Sequence, residues 1–307
     1  MSVEIIGFDA EARMDWIALT DALAAGHEMP RAEITDGFLY RGDDTLLNRA
    51  AWIDGMGIAV KSATIFPGNA DAGKPTINGG MCLYADGTGE LEAVVDFHLV
   101  TKWKTAGDSL LAARRLARPD SRRILVVGAG TVARSLVDAY SAAFPDAEFT
   151  VWNRTPAGAA AVAAEFAGRV GIAVAPDLEA AVAEADIITC ATMAKEPVIR
   201  GAWLRPGQHL DLIGAFRPDM READDTALQR ARIFVDSRDT TIGHIGELKI
   251  PLAAGAISEA DIQADYYDLP GGGFARQDAG EITLFKNGGG AHLDLMTGRY
   301  VLAAWRG

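Results

Sequence analysis

The sequence has little cysteine, no long apolar run and no excess of positive charge. Cys82 and Cys190 are its two cysteines in 307 residues, each inside an apolar stretch. They show no CxxC or Cys/His spacing, which argues against a metal site and predicts two buried thiols in a reducing compartment. No run approaches the ~20 apolar residues needed to span a bilayer. Met1–Phe8 is short and carries Glu4 instead of the basic-then-apolar pattern of a secretion signal. The expectation is a cytoplasmic protein with no membrane partner. Acidic residues outnumber basic ones 42 to 29, a formal net charge of -13, which disfavours nucleic acid and anionic lipid as partners. What is present, 49% apolar and 23% charged residues, is the composition of a globular chain long enough for two domains.

Asp9 is placed to cap a helix in which Trp16, Leu19 and Leu23 share a face, ending near Gly26 and Pro30. From about Ala32 to Asp96, short apolar runs (Gly57–Val60, Gly80–Tyr84, Leu91–Phe97) are divided by Gly, Pro, Asn and Asp. Asp86-Gly87-Thr88-Gly89 between two of them is a hairpin signal. This region predicts an antiparallel sheet with helices beside it. A helix over about Val100–Leu116 follows, closed by Pro119 and Asp120. The rhythm then becomes strand–helix–strand. Ile124–Val127, Phe149–Trp152, Gly171–Val174, Ile187–Cys190, His209–Ile213 and Ile233–Val235 are continuous apolar strands, the first three separated by Ala-rich helical segments. That pattern predicts a parallel sheet covered on both faces. Ala291–Trp305 reads as a final helix.

Arg123 to Ala133 reads as a strand, a tight turn and a helix start. Gly128 permits the turn, Gly130 lets the backbone approach a pyrophosphate, and the small Ala133 lets helix and strand pack closely. The helix N-terminus at Thr131 and Val132 supplies free N–H groups and a partial positive charge. The turn therefore predicts a dinucleotide site in a Rossmann-type domain. About 20 residues on, where NAD sites place Asp or Glu for the ribose 2′-hydroxyl, stand Trp152-Asn153-Arg154-Thr155. No acid repels a 2′-phosphate, Arg154 is a planar donor for one, and Asn153 and Thr155 add neutral donors. NADP(H) is the expected cofactor, with NAD(H) as the alternative.

Candidates for chemistry lie on both sides of this domain. Lys61 ends the apolar stretch Gly57–Lys61, as a snorkelling edge residue or a positioned charge. Lys102-Trp103-Lys104-Thr105 places cations at the start of the helix leading to the glycine turn, and Arg41 and Arg49 are further candidates for gripping a carboxylate. His98, His209, His244 and His292 have no ligand spacing and are read as structural or exposed.

In order along the chain, these segments resemble the ornithine cyclodeaminase/mu-crystallin family. Val60-Lys61 followed by Phe66-Pro67-Gly68-Asn69 resembles its catalytic-lysine strand and loop. Thr101–Ala106 resembles its Thr-x-x-Arg-Thr-Ala helix. Val127–Gly130 and Asn153–Thr155 resemble the cofactor domain of its NADPH-using members. Cys190-Ala191-Thr192, with Met193 and Glu196–Val198 beyond, resembles the loop after the fourth strand. Glu281–Lys286 resembles the segment that returns to the substrate domain.

The resemblance implies a substrate and dimerisation domain, residues 1–105 completed by 287–307, beside a doubly wound NADP-binding domain, residues 106–286. It implies a homodimer, with substrate bound between the domains near the nicotinamide. Lys61 takes the catalytic position, Lys104 that of an anion-binding arginine, and Arg41 loosely that of a carboxylate-binding arginine. Thr192 and Met193 join the cofactor contacts. Phe216, in Ile213-Gly214-Ala215-Phe216-Arg217-Pro218-Asp219, departs from the pattern. True cyclodeaminases carry an aspartate there, and phenylalanine can neither transfer a proton nor assist water addition. Asp219 and Glu222 lie beyond that position and read as capping and solvated charge. With Phe216 lining a dry pocket, the expected activity is reduction of a small cyclic imino acid: 1-pyrroline-2-carboxylate or 1-piperideine-2-carboxylate, to L-proline or L-pipecolate. The alternatives are an ornithine cyclodeaminase, other family reductases, and a non-catalytic NADPH-dependent small-ligand binder.

Overall fold

Side-chain alternation organises the first of two units, formed by the chain up to Lys104 together with Gly290–Gly307. The computed structural model describes residues 2–307. Six strands make its sheet: β1 (Glu4–Ile6), β2 (Glu33–Arg41), β3 (Asp44–Ile53), β4 (Gly57–Ile65), β5 (Ile77–Tyr84) and β6 (Leu91–Asp96). They lie in the order β1-β6-β5-β4-β3-β2, antiparallel except where β1 runs beside β6. The turn at Asp86–Gly89 joins β5 to β6, closed by the Ala85 N–H on the Glu90 carbonyl at 2.9 Å. In β4, Gly57, Ala59, Lys61 and Ala63 are buried while Ile58, Val60 and Ser62 are only half so. The period of two thus puts a lysine on the core side of the sheet.

The C-terminal helix Ala291–Arg306 packs against β3 and β4. Close approach depends on glycine: a Cβ on Gly298 would fall 2.3 Å from the Met81 methyl on β5. Helix α1 (Trp16–Gly26) packs on the same helix. Its cap is not Asp9, which lies in a 3-10 turn over Phe8–Arg13. Asp15, directly before the helix, accepts the Ala18 N–H at 2.8 Å and satisfies one of the orphan donors of the first turn. Helix α2 runs from Phe97 to Leu116. It begins before the expected Val100 because the Asp96 carboxylate accepts the Leu99 N–H at 2.8 Å. Lys102 to Thr105 therefore occupy its second turn.

The second unit is Thr105–Gly289. Its sheet is parallel throughout: β7 (Arg123–Val127), β8 (Glu148–Trp152), β9 (Gly171–Val174), β10 (Ile187–Cys190), β11 (His209–Leu212), β12 (Ala231–Val235), β13 (Ile262–Ala264) and β14 (Ile282–Lys286). The order is β13-β12-β14-β11-β10-β7-β8-β9. Every residue of β10, β11 and β14 is buried, as a sheet covered on both faces requires. Helices α3 (Thr131–Ala143), α4 (Pro156–Phe166) and α5 (Leu178–Glu184) make the first crossovers.

Ile282–Lys286, expected at the end of the NADP-binding domain but not counted among its strands, is the strand between β11 and β12 in that domain's sheet. Ile282, Leu284 and Phe285 are apolar enough to be buried there, and the buried Lys286 ammonium is satisfied by the Leu212 carbonyl at 2.8 Å. Chain order reverses at β7, with β8 and β9 on one side and β10 and β11 on the other. This opens a crevice at the carboxyl ends of β7 and β10, where open α/β sheets bind ligands. Among the described residues no helix is long and apolar enough to cross a membrane.

Candidate active site

In the second unit the glycine turn fills that crevice. Gly128 has φ +119°, a region side chains rarely enter, and a Cβ there would lie 2.6 Å from the Ala191 carbonyl oxygen. Gly130 caps α3, and a Cβ there would meet nothing within 4 Å. The first-turn N–H groups, beginning at Thr131 and Val132, are thus approachable by an anion. Ala133 is buried against β7. Arg134, which sequence reasoning passed over, steadies the turn by donating to the carbonyls of Ala129 (2.6 Å) and Gly130 (3.2 Å).

Gly128, Gly130, Asn153, Arg154, Thr155, Thr192 and Met193 all line one cleft of ≈ 430 Å³. Asn153 donates to the Thr155 carbonyl at 2.9 Å, which shapes the turn after β8. Arg154 is exposed and makes no ion pair among the described residues, so its guanidinium is available. The glycine cradle, the open helix end and a turn without carboxylate fit a dinucleotide carrying a 2′-phosphate.

The loops after β10 and β11 are tied together by Glu222. One carboxylate oxygen accepts the Thr192 N–H (2.7 Å) and hydroxyl (2.8 Å), the other the Gly214 N–H at 2.6 Å. Glu222 is fully buried, which overturns its reading as a solvated charge. Burial pushes its carboxyl above the usual range, with the Lys286 charge opposing. Glu247 lies behind it and accepts the N–H groups of Glu222 (2.6 Å) and Ala223 (3.0 Å). Burial, reinforced by the Glu222 charge, pushes Glu247 up to about 7. Asp219 is the solvated charge of this stretch, paired with Arg217 and Lys195 at 2.9 Å each. Phe216 is 58% exposed in this chain, so it lines no dry pocket within its own unit.

In the first unit, Lys61 and Lys104 are both buried. The Lys61 ammonium donates to Asp294 Oδ1 at 2.5 Å, and Arg49, directly opposite Lys61 on β3, brings its guanidinium to 3.8 Å from Asp294 Oδ2. Arg49 also holds Asp36 at 2.6 Å. Burial pulls Lys61 down to about 8, against the opposing pull of Asp294 and with that of Lys104. Burial pushes Asp294 up, yet the charges of Lys61, Lys104 and Arg49 prevail and hold it below the usual carboxylate range. Arg41 is not brought to Lys61. It is exposed, paired with Asp44 at 2.8 Å, because the tight β2–β3 turn sets those two side chains opposite each other. Asp294 escaped sequence reasoning, and its signal was a carboxylate inside the otherwise apolar run Leu293–Met296. Among the described residues no cluster of three or more His, Cys, Asp or Glu is arranged to hold a metal ion.

A parallel sheet with a glycine-lined crevice at its switch point, preceded in the same chain by a unit that holds a buried lysine, defines a two-unit Rossmann-type enzyme. The chain belongs to the ornithine cyclodeaminase/mu-crystallin family, whose model matches residues 51–307. It is 52% identical over 302 residues to Delta(1)-pyrroline-2-carboxylate reductase of Paracoccus denitrificans, covering 97% of this chain and 96% of the relative. It is 32% identical over 248 residues to mouse ketimine reductase mu-crystallin, covering 81% and 76% of the two chains. Among solved structures, Thermococcus litoralis Delta(1)-pyrroline-2-carboxylate reductase in complex with NADH and L-proline superposes with a TM-score of 0.90. It is 25% identical, with 98% and 97% of the two chains covered.

Proposed function

We propose that the protein is an NADPH-dependent reductase of a small cyclic imino acid, converting 1-pyrroline-2-carboxylate or 1-piperideine-2-carboxylate to L-proline or L-pipecolate. The observation that carries this reading is the buried charge cluster of the first unit. Lys61, Lys104 and Arg49 are three cations set around a single buried carboxylate, Asp294, and the surplus positive charge suits a compact anionic substrate. Similarity along nearly the whole chain to reductases of this substrate supports it.

The bound nucleotide supplies hydride to the C=N carbon; what the chain's residues do is bind, orient and polarise. Arg154 selects the nucleotide by pairing with the 2′-phosphate, and the first turn of α3 binds the pyrophosphate. Lys104 and Arg49 hold the substrate carboxylate. Lys61 hydrogen-bonds the imine nitrogen and favours its protonated, more electrophilic form. The loop after β11 supports reduction over deamination. Its carboxylates are all engaged, Asp219 by Arg217 and Lys195, Glu222 by the Thr192 and Gly214 N–H groups and Asp224 by the Ala227 N–H, and Phe216 has no proton to move.

Pure protein, NADPH and a panel of cyclic imines test the proposal. Loss of NADPH absorbance with the five- or six-membered imine is expected, and no oxidation across the panel would overturn it. We also propose a homodimer formed through the first unit. Edge strand β2 is exposed along its whole length, with Ile34, Phe38 and Tyr40 on one face and Leu39 on the other, and a long apolar edge needs a cover.

A further inference from the structure

We propose that Asp294 is a positioning residue of this reaction: it keeps Lys61 in the ammonium form and aims one of its N–H bonds, so that Lys61 serves as the proton donor to the imine nitrogen. The inference rests on the imine-reductase reading above and adds a residue and a proton to it.

The carboxylate occupies an expensive place. Asp294 lies fully buried between Leu293 and Leu295 on the C-terminal helix, and an unpaired charge there would cost several kcal/mol, on the order expected for any isolated buried ion. Among the described residues it has one hydrogen-bond donor, the Lys61 ammonium at 2.5 Å, while Oδ2 accepts none. A carboxylate placed only for stability would have both oxygens satisfied. This one takes its hydrogen bond from Lys61, with Arg49 3.8 Å from its other oxygen, and Lys61 gives it one of three N–H bonds and keeps two for a ligand.

The surroundings explain why the lysine needs it. Lys104 faces Lys61 from α2 and Arg49 faces it from β3, and both cations disfavour a second positive charge. The Phe97 ring, also on α2, lies 5.5 Å from the ammonium. His292, on the same helix as Asp294, is pushed down to about 3 by burial and adds no charge at working pH. It packs edge-on against His27, the residue that caps the C-terminus of α1, and Arg31 also acts on it. Asp294 is therefore the group that offsets the desolvation and repulsion acting on Lys61. With it, Lys61 is drawn down to about 8, low enough to give up a proton yet mostly charged at neutral pH. In the step itself, the Lys61 Nζ–H bond breaks as the imine N–H bond forms. The electron pair stays on Nζ, and the neutral amine regains its proton from solvent after the product leaves.

Two variants displace the Lys61 midpoint in opposite directions. Asp294→Asn should lower it by about one pH unit or more, and Lys104→Met should raise it. The midpoint is read directly from the Lys61 Cε resonance of the nucleotide-free, lysine-labelled protein. It is read again from the alkaline limb of kcat/KM with NADPH and the imine, which should move with it. Asp294→Glu, which keeps the charge, should restore the wild-type midpoint. Equal loss of kcat/KM at every pH, or an alkaline limb unmoved in both variants, would overturn the proposal. If Asp294→Asn does not fold, an unmoved midpoint in Lys104→Met overturns it alone. Should the midpoints move as stated while wild type oxidises NADPH with no imine, the substrate reading has failed and the role of Asp294 in holding the charge stands.

Discussion

Arg154 carries the proposed choice of nucleotide on one side chain. The exposed guanidinium follows Trp152 at the end of β8 and pairs with no carboxylate among the described residues. Placed against a 2′-phosphate it would make charge-assisted hydrogen bonds worth about 1.5–3 kcal/mol. Arg154→Ala should therefore raise the Kd for NADPH roughly 10- to 100-fold by that energy and leave the Kd for NADH nearly unchanged, measured by quenching of protein fluorescence. Equal weakening of both nucleotides would show that Arg154 does not read the phosphate. This residue was legible because its place is local, a fixed step along the chain from the glycines. Asp294 was not. Its partner Lys61 is 233 residues away, and nothing in Ala291–Met296 records that β4 brings an ammonium there. Arg41 and Arg49 make the same point. Both are arginines on neighbouring strands, and only the β3–β4 register, which sets Arg49 opposite Lys61, tells them apart.

At the scale of elements, the two loops at the carboxyl ends of β10 and β11 act as one piece because Glu222 binds both. A carboxylate can accept the Thr192 and Gly214 donors together, whereas an amide must turn its NH2 toward one of them. Glu222→Gln should cost about 2–3 kcal/mol, the penalty of a buried donor left unsatisfied. It should lower Tm and weaken NADPH and NADH by similar factors, in contrast to Arg154→Ala. Thermal melts and nucleotide titrations on one sample check both parts; selective loss of NADPH alone would argue that Glu222 acts on the 2′-phosphate and not on the loops. The glycine turn and the apolar strands of the parallel sheet were readable because each is contiguous and each depends on local backbone rules. Glu222 read as solvated because its stretch, Pro218–Asp225, is rich in charge. Burial by Glu247, Thr192 and Gly214 comes from three other segments. Strand β14 was not read as part of the parallel sheet for a related reason, since its place between β11 and β12 reverses chain order.

For the molecule as a whole, the proposed homodimer rests on the strand at the edge of the first sheet. The first sheet ends on β2, which presents Ile34, Phe38, Leu39 and Tyr40 to solvent, Tyr40 at 72%. A net charge of -13 keeps such chains apart at long range, so the proposed association would draw on burial of these apolar side chains. A stable interface needs on the order of 1,000 Å² in total, within reach of a nine-residue strand and its flanking side chains on each of two copies. Two-fold pairing would set the same strand against itself, the arrangement most homodimers use. Lysines on an edge strand are what natural sheets use to prevent this pairing. Phe38→Lys combined with Tyr40→Lys should therefore halve the mass measured by light scattering at micromolar concentration. Both side chains are exposed in the single chain, so circular dichroism should stay that of a folded protein. A wild type that scatters as a monomer would remove the dimer proposal outright. A double variant that remains a dimer would move the interface off β2 to another surface of the protein.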